Sequence, residues 1–187
     1  MPRGLIVLSD PNSYGISHKL IAPTIKHLYK KRGFECMIID LHKDGFNPML
    51  TLEERHNNVN AITAAYKHFF KKADQIHFIS SQHLGGLSAG IEGFIEQVIK
   101  NNFAFESDGT GIKSSIKNKA AFFYVHSSFK NGTRFNAVWF RIKIGMFNIF
   151  KSAKVFQSDL RWAIPDVKNK KMHKLNNYLI KSIFIEK

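Results

Sequence analysis

The chain has 187 residues and a mass of 21.5 kDa, with 44% hydrophobic, 13% aromatic and 22% charged residues. That length suits one domain, 1–187, able to bury about 70% of its unfolded surface, and the composition excludes collagen, coiled coil and low-complexity chains. Against 14 Asp and Glu stand 28 Lys and Arg, a formal net charge of +14, which favours anionic partners without choosing between a phosphorylated cofactor, nucleic acid and an anionic surface.

The single cysteine, Cys36, excludes an internal disulfide and a multi-cysteine zinc or iron–sulfur site. It fits a reducing compartment, so a cytoplasmic location is expected. No apolar run approaches the about 18 residues of a membrane span, and no signal-peptide pattern opens the chain.

Gly4 to Ser9 is a continuous apolar run ended by Asp10-Pro11-Asn12, the pattern of a strand buried on both faces. From Ser17, the residues Leu20, Ile21, Thr24, Ile25 and Leu28 recur at helical spacing, with Ser17 placed to cap and Gly33 to stop the helix. Glu35 to Leu41 reads as a second strand, Thr51 to Ala73 as a helix and Gln75 to Ser80 as a third strand. Leu87, Ile91, Phe94, Ile95, Val98 and Ile99 stripe the next helix. Ser107 to Ser115 reads as a polar loop and Lys119 to His126 as a fourth strand. Phe135 to Phe150 reads as helix, Ala153 to Gln157 as a short fifth strand, and Val167 to Phe184 as a basic closing helix. Such alternation predicts a doubly wound α/β fold, a five-stranded parallel sheet in order 2-1-3-4-5 with helices on both faces.

Ligands of such sheets bind beyond the carboxyl ends of the strands. Three loops converge there: Ser9 to Ser17, Ser80 to Gly86 and His126 to Gly132. The first runs straight into a helix, whose N–H groups and dipole, with the hydroxyls of Ser13 and Ser17, suit a phosphate. The same residues also suit a plain turn with Ser17 as cap, and the negative charge of Asp10 opposes a phosphate. Gly85 and Gly86 in the second loop allow close approach of a flat ligand, or simply a tight turn. His83 and His126 end adjacent strands, as candidate acids or carbonyl-polarising groups or as plain rim residues. No metal-ligand spacing accompanies them, so no metal site is expected. Gly109 to Ser114 imitates part of a P-loop without its spacing and reads as a surface loop. No nucleic-acid recognition motif accompanies the basic helix ends, so no specific nucleic-acid partner is expected.

Three stretches carry a resemblance. DPNSYGISHKL from Asp10 is similar to the pattern HPNxxSxNHAL. MIIDLHKDGFNPML, ending at Leu50, is similar to VIDLYxxGFDPxL, and SSQHLGGLSAGIEGFIEQV from Ser80 is similar to YPxWWGGMPAxLKGFIDRV without a gap. These are patterns of the flavodoxin-like NAD(P)H quinone oxidoreductases, the modulator-of-drug-activity and potassium-efflux ancillary type, which the chain resembles as far as Phe129. NFAF from Asn102 resembles the family's GFAF. The chain departs from the patterns at Asp10 (His in the family), Gly15 (Ser), Ser17 (Asn), Ser81, His83 and Leu84 (Pro and paired aromatics), and at Val125 to Ser128, VHSS where the family carries TTGG.

The resemblance implies a homodimeric flavoprotein with FMN or FAD, taking hydride from NAD(P)H and passing two electrons to a quinone-like acceptor. It implies cofactor contacts at Asp10, Asn12, Ser13, Gly15, Ile16 and Ser17, at Ser81, Gln82, His83, Leu84, Gly85 and Gly86, and at His126, Ser127 and Ser128. His126 and His83 are then the candidate catalytic side chains. The departures motivate the alternative of a relative that has lost tight flavin binding and serves as a regulatory or interaction protein.

Overall fold

β1 (Gly4–Ser9) is buried at every position, as a continuous apolar run requires when it lies centrally in a sheet covered on both sides. The computed structural model describes residues 3–50, 60–81, 87–100, 105–107, 112–114, 119–127 and 152–159. β1 pairs in parallel with β2 (Cys36–Asp40) on one side and β3 (Gln75–Ser81) on the other. β6 (Ala120–Ser127) lies beyond β3, giving the order β2-β1-β3-β6, and β7 (Ser152–Asp159) runs parallel along the outer edge of β6. The expected segments Phe135 to Phe150 and Val167 to Phe184 lie outside the described residues, as does a dimer interface built on them.

A π-helical turn, Ser17–Ile21, leads into α1 (Ala22–Lys31). Gly33, at φ 71°, ends it, with Gly33 N–H donating to Lys30 O and Phe34 N–H to Tyr29 O, each at 3.0 Å. α2 (Ala61–Lys72) starts at Asn60, whose side chain accepts from Thr63 N–H at 2.8 Å. Of the expected Thr51 to Ala73 helix, residues 51–59 lie outside the described set. α3 (Ala89–Phe94) continues as a π-helical segment, Ile95–Lys100. The expected loop at Ser107 to Ser115 is corrected: β4 (Phe105–Ser107) and β5 (Ile112–Ser114) pair antiparallel, so the P-loop imitation ends in a strand. Three-residue strands are too short to show a period of two in sequence.

Strand alternation sorts the core. Leu5, Val7, Ile39, Ile76, Phe78, Phe123 and Val125 pack against Tyr66 and Phe70 of α2 and Ile91 and Phe94 of α3. Ile6, Leu8, Ile79, Phe122 and Tyr124 face Ile25 and Tyr29 of α1. Lys119, 7% exposed, donates through Nζ to Lys71 O at 2.9 Å and to Ala73 O, tying the start of β6 to the end of α2.

The segment after β2 is seated by Gly93 of α3, where a Cβ would lie 2.6 Å from Pro48 Cα and would also strike the Pro48 carbonyl. Gly93→Ala is therefore expected to destabilise by about 1–3 kcal/mol, although alanine is the better helix former. Thermal unfolding checks this, and a rise in Tm would show that the Pro48 segment yields freely.

Candidate functional site

The parity that sorts the core continues past the strand tips. Asp10, two residues beyond Leu8, and His126, two beyond Tyr124, fall on the α1 side of the sheet, where the helix begins with Ser17. All three are buried, at 5%, 4% and 0% exposure. Asp10 Oδ1 accepts from Asn12 N–H at 3.0 Å. Its Oδ2 accepts from the Ser17 hydroxyl at 2.7 Å and lies 3.2 Å from His126 Nε2, which also meets Ser17 Oγ. Burial alone would raise the Asp10 pKa. The hydrogen bonds from His126, Ser17 and Asn12, with the attraction of His126, outweigh it and hold the carboxyl well below the usual carboxylate range.

Two expectations change here. Ser17 does not cap the helix: Ile16 is the capping residue, no side-chain cap forms, and the serine hydroxyl is spent on Asp10. Asp10 is not an open anion facing a ligand, because three donors converge on it from within the protein.

Above this buried cluster runs the loop of Pro11 to Ile16. Gly15 N–H donates to Asn12 O at 2.8 Å, Tyr14 N–H to Asn12 Oδ1 at 3.1 Å and Lys19 N–H to Gly15 O at 3.0 Å. A Cβ on Gly15 would lie 3.0 Å from Asn12 O and 3.3 Å from Asp10 Oδ2, so the turn is tight because it closes onto the buried carboxylate. Asn12 and Ser13 are exposed at its crest; Tyr14, 83% exposed, carries Lys19 Nζ 5.3 Å from its ring centre.

Pairs missed in the sequence brace the neighbouring tips. Ser88 N–H donates to Ser80 Oγ at 3.0 Å and the two hydroxyls lie 3.1 Å apart, so the end of β3 and the start of α3 are clamped together. His18 Nε2 meets Asp40 Oδ2 at 2.9 Å, joining the helix to the tip of β2. Serines at 80 and 88, bracketing a glycine pair, are the signal that could have shown the first clamp. Ser81 lies in register with His126, and Ser127 is the last residue of β6. Gln82, His83, Leu84, Gly85, Gly86 and Ser128 lie outside the described residues. Cys36, at the start of β2, has its thiol pushed up to about 12 by burial despite nearby Lys26, so it is no thiolate nucleophile.

A family model described as flavodoxin-like fold matches residues 2–141. The chain belongs to this flavodoxin-like family. An NAD(P)H oxidoreductase of Haemophilus influenzae, itself described as uncharacterised, is 29% identical over 119 residues, 62% of this chain and 59% of that protein. The chain thus matches about three fifths of that relative's length. Among solved structures, a Klebsiella pneumoniae protein provisionally assigned as a quinone reductase aligns over 98% of this flavodoxin-like chain and 84% of its own, at 15% identity and a TM-score of 0.77. An FMN-dependent NADH-azoreductase from Bacillus anthracis, in complex with FMN, aligns over 97% and 100%, at 14% identity and a TM-score of 0.68. Among the described residues no helix is long and apolar enough to cross a membrane.

Proposed function

We propose that this flavodoxin-like chain is an NAD(P)H oxidoreductase that uses bound FMN to pass two electrons, as hydride, to a small quinone-like acceptor. The observation that carries this reading is the first loop. It runs from β1 into a 15-residue helical stretch, Ser17–Ile21 followed by Ala22–Lys31, over a carboxylate already matched by Asn12, Ser17 and His126. The leading N–H groups of a helix have no partners within it, and an anion near them gains from the helix dipole. With Asp10 turned inward, the objection to a phosphate at this loop falls away. His126 Nδ1, buried without a hydrogen-bond partner among the described residues, is the kind of orphaned polar atom that a polar ligand satisfies. The loop and the tips thus fit a phosphorylated ring compound.

In this reading the backbone N–H groups of Ser13, Ile16 and Ser17, with the Ser13 hydroxyl, hold the phosphate, those of Asn12, Tyr14 and Gly15 being spent inside the loop. Ser81 to Gly86 lie along the ring, and His126, Ser127 and Ser128 at its other edge. The bound flavin supplies the hydride chemistry, while the protein supplies position and polarity. The net charge of +14 draws in phosphorylated nucleotides. The relative named NAD(P)H oxidoreductase and the FMN complex of the structural neighbour support donor and cofactor.

The purified chain is expected to be yellow, to bind FMN by fluorescence quenching in preference to FAD, and to lose its visible absorbance on addition of NAD(P)H. A chain that takes up neither flavin at high micromolar concentration is instead the regulatory relative.

A further inference from the structure

The Asp10, Ser17 and His126 cluster resolves into definite hydrogen positions. An ionised carboxylate only accepts, and the one hydroxyl hydrogen of Ser17 is given to Asp10 Oδ2. The Nε2 of His126 faces that same oxygen at 3.2 Å and also the Ser17 oxygen, so both of its neighbours are acceptors on that side. The hydrogen of a neutral His126 ring therefore belongs on Nε2, because the opposite tautomer would set a lone pair against a carboxylate. Nδ1 is left bare, buried and without a partner among the described residues, a state that natural structures rarely leave unexplained.

We propose that Asp10 and Ser17 are positioning residues that fix the His126 tautomer, so that Nδ1 is presented as the hydrogen-bond acceptor for a ring N–H of bound flavin. This rests on the function proposed above and names the atom by which the third strand tip recognises the ring. An oxidised isoalloxazine carries one such N–H, at N3, and a bare imidazole nitrogen is a strong acceptor for it. The roles divide cleanly: Nε2 belongs to the protein and Nδ1 to the ligand, the arrangement by which the partner of one ring nitrogen sets the state of the other.

The test is nitrogen NMR of the labelled full-length chain, read above the ordinary histidine titration range, without and then with FMN. His126 is expected to show hydrogen on Nε2 and a bare Nδ1. FMN should move the Nδ1 resonance towards that of a hydrogen-bonded acceptor while Nε2 stays nearly fixed, and Asp10→Asn should mix the tautomers. In parallel, His126→Gln, whose amide reaches the place of Nε2, is expected to weaken FMN binding about tenfold, the worth of one hydrogen bond. His126→Asn, whose amide reaches the place of Nδ1, should stay within about threefold of the native chain. Hydrogen found on Nδ1 of the free native protein overturns the proposal, as does Gln binding FMN as well as Asn does. A native chain with the Nε2 hydrogen that takes up no FMN overturns the flavin reading and the acceptor role together. One that takes up FMN with Nδ1 unmoved overturns the acceptor role alone.

Discussion

Asp10→Ala is expected to cost about 1–3 kcal/mol of folding stability, because it leaves the Ser17 hydroxyl and His126 Nε2, which cannot reach water, with only one another as partners. The Ser17 hydroxyl and His126 Nε2 both converge on Oδ2, and all three residues are at most 5% exposed. Asp10→Asn keeps the shape and one acceptor oxygen, so its loss should be smaller. The pH dependence separates charge from shape. The folded pKa of Asp10 lies below its unfolded value, so the unfolded chain binds the proton more readily. Its contribution is complete above about pH 4, the ordinary aspartate value, and is lost as pH falls below that towards the folded pKa. Urea denaturation across this acid range should therefore show a steeper decline for the native chain than for Asp10→Asn. A loss below about 1 kcal/mol in Asp10→Ala at neutral pH would mean that the carboxylate is not matched as described.

The alternation of apolar strands and striped helices made the sheet legible in the residues, because burial on both faces leaves a continuous apolar run that turn residues bound sharply. The apolar runs at Gly4 to Ser9 and Lys119 to His126 therefore fall within a residue or so of the strands found. The site was legible as a place and not as a set of bonds. Read singly, Asp10 is an anion beside a phosphate loop and Ser17 a cap; their contact with His126, 109 residues beyond Ser17, follows only from the register of β1, β3 and β6. Parity held the clue, since Leu8 to Asp10 and Tyr124 to His126 are steps of two on one face. The departures from the resembling family held another: Asp10, Ser17 and the His126 of VHSS differ from its patterns at positions that prove to touch one another. The hairpin of β4 and β5 was not legible at all, because three residues cannot display an alternation.

His77→Phe should invert its effect between neutral and acid solution. His77, fully buried in β3, stacks on Phe122 with ring centres 4.9 Å apart and lies between two tyrosine hydroxyls, Tyr29 at 2.9 Å from Nε2 and Tyr124 at 3.2 Å from Nδ1. Tyr29 donates to Gln75 Oε1, so Nε2 carries the imidazole hydrogen and donates to Tyr29, while Nδ1 accepts from Tyr124. Phenylalanine keeps the stack but removes the hydrogen bonds of His77 with both tyrosine hydroxyls, which at neutral pH should cost about 1–3 kcal/mol. In acid the sign turns. Burial drives the folded pKa of His77 down to about 3 from the ordinary 6.5. The unfolded chain therefore binds the proton between those values, and native stability is complete above about 6.5 and falls by up to about 1.4 kcal/mol per pH unit below it. The phenylalanine variant has no proton to take up at this position, so its stability should decline less steeply and overtake that of the native chain near about pH 5. Equilibrium denaturation at several pH values between those limits measures both curves. Parallel curves across that range would mean that His77 is reached by protons in the folded state, and that the Tyr29, His77 and Tyr124 cluster is open to water.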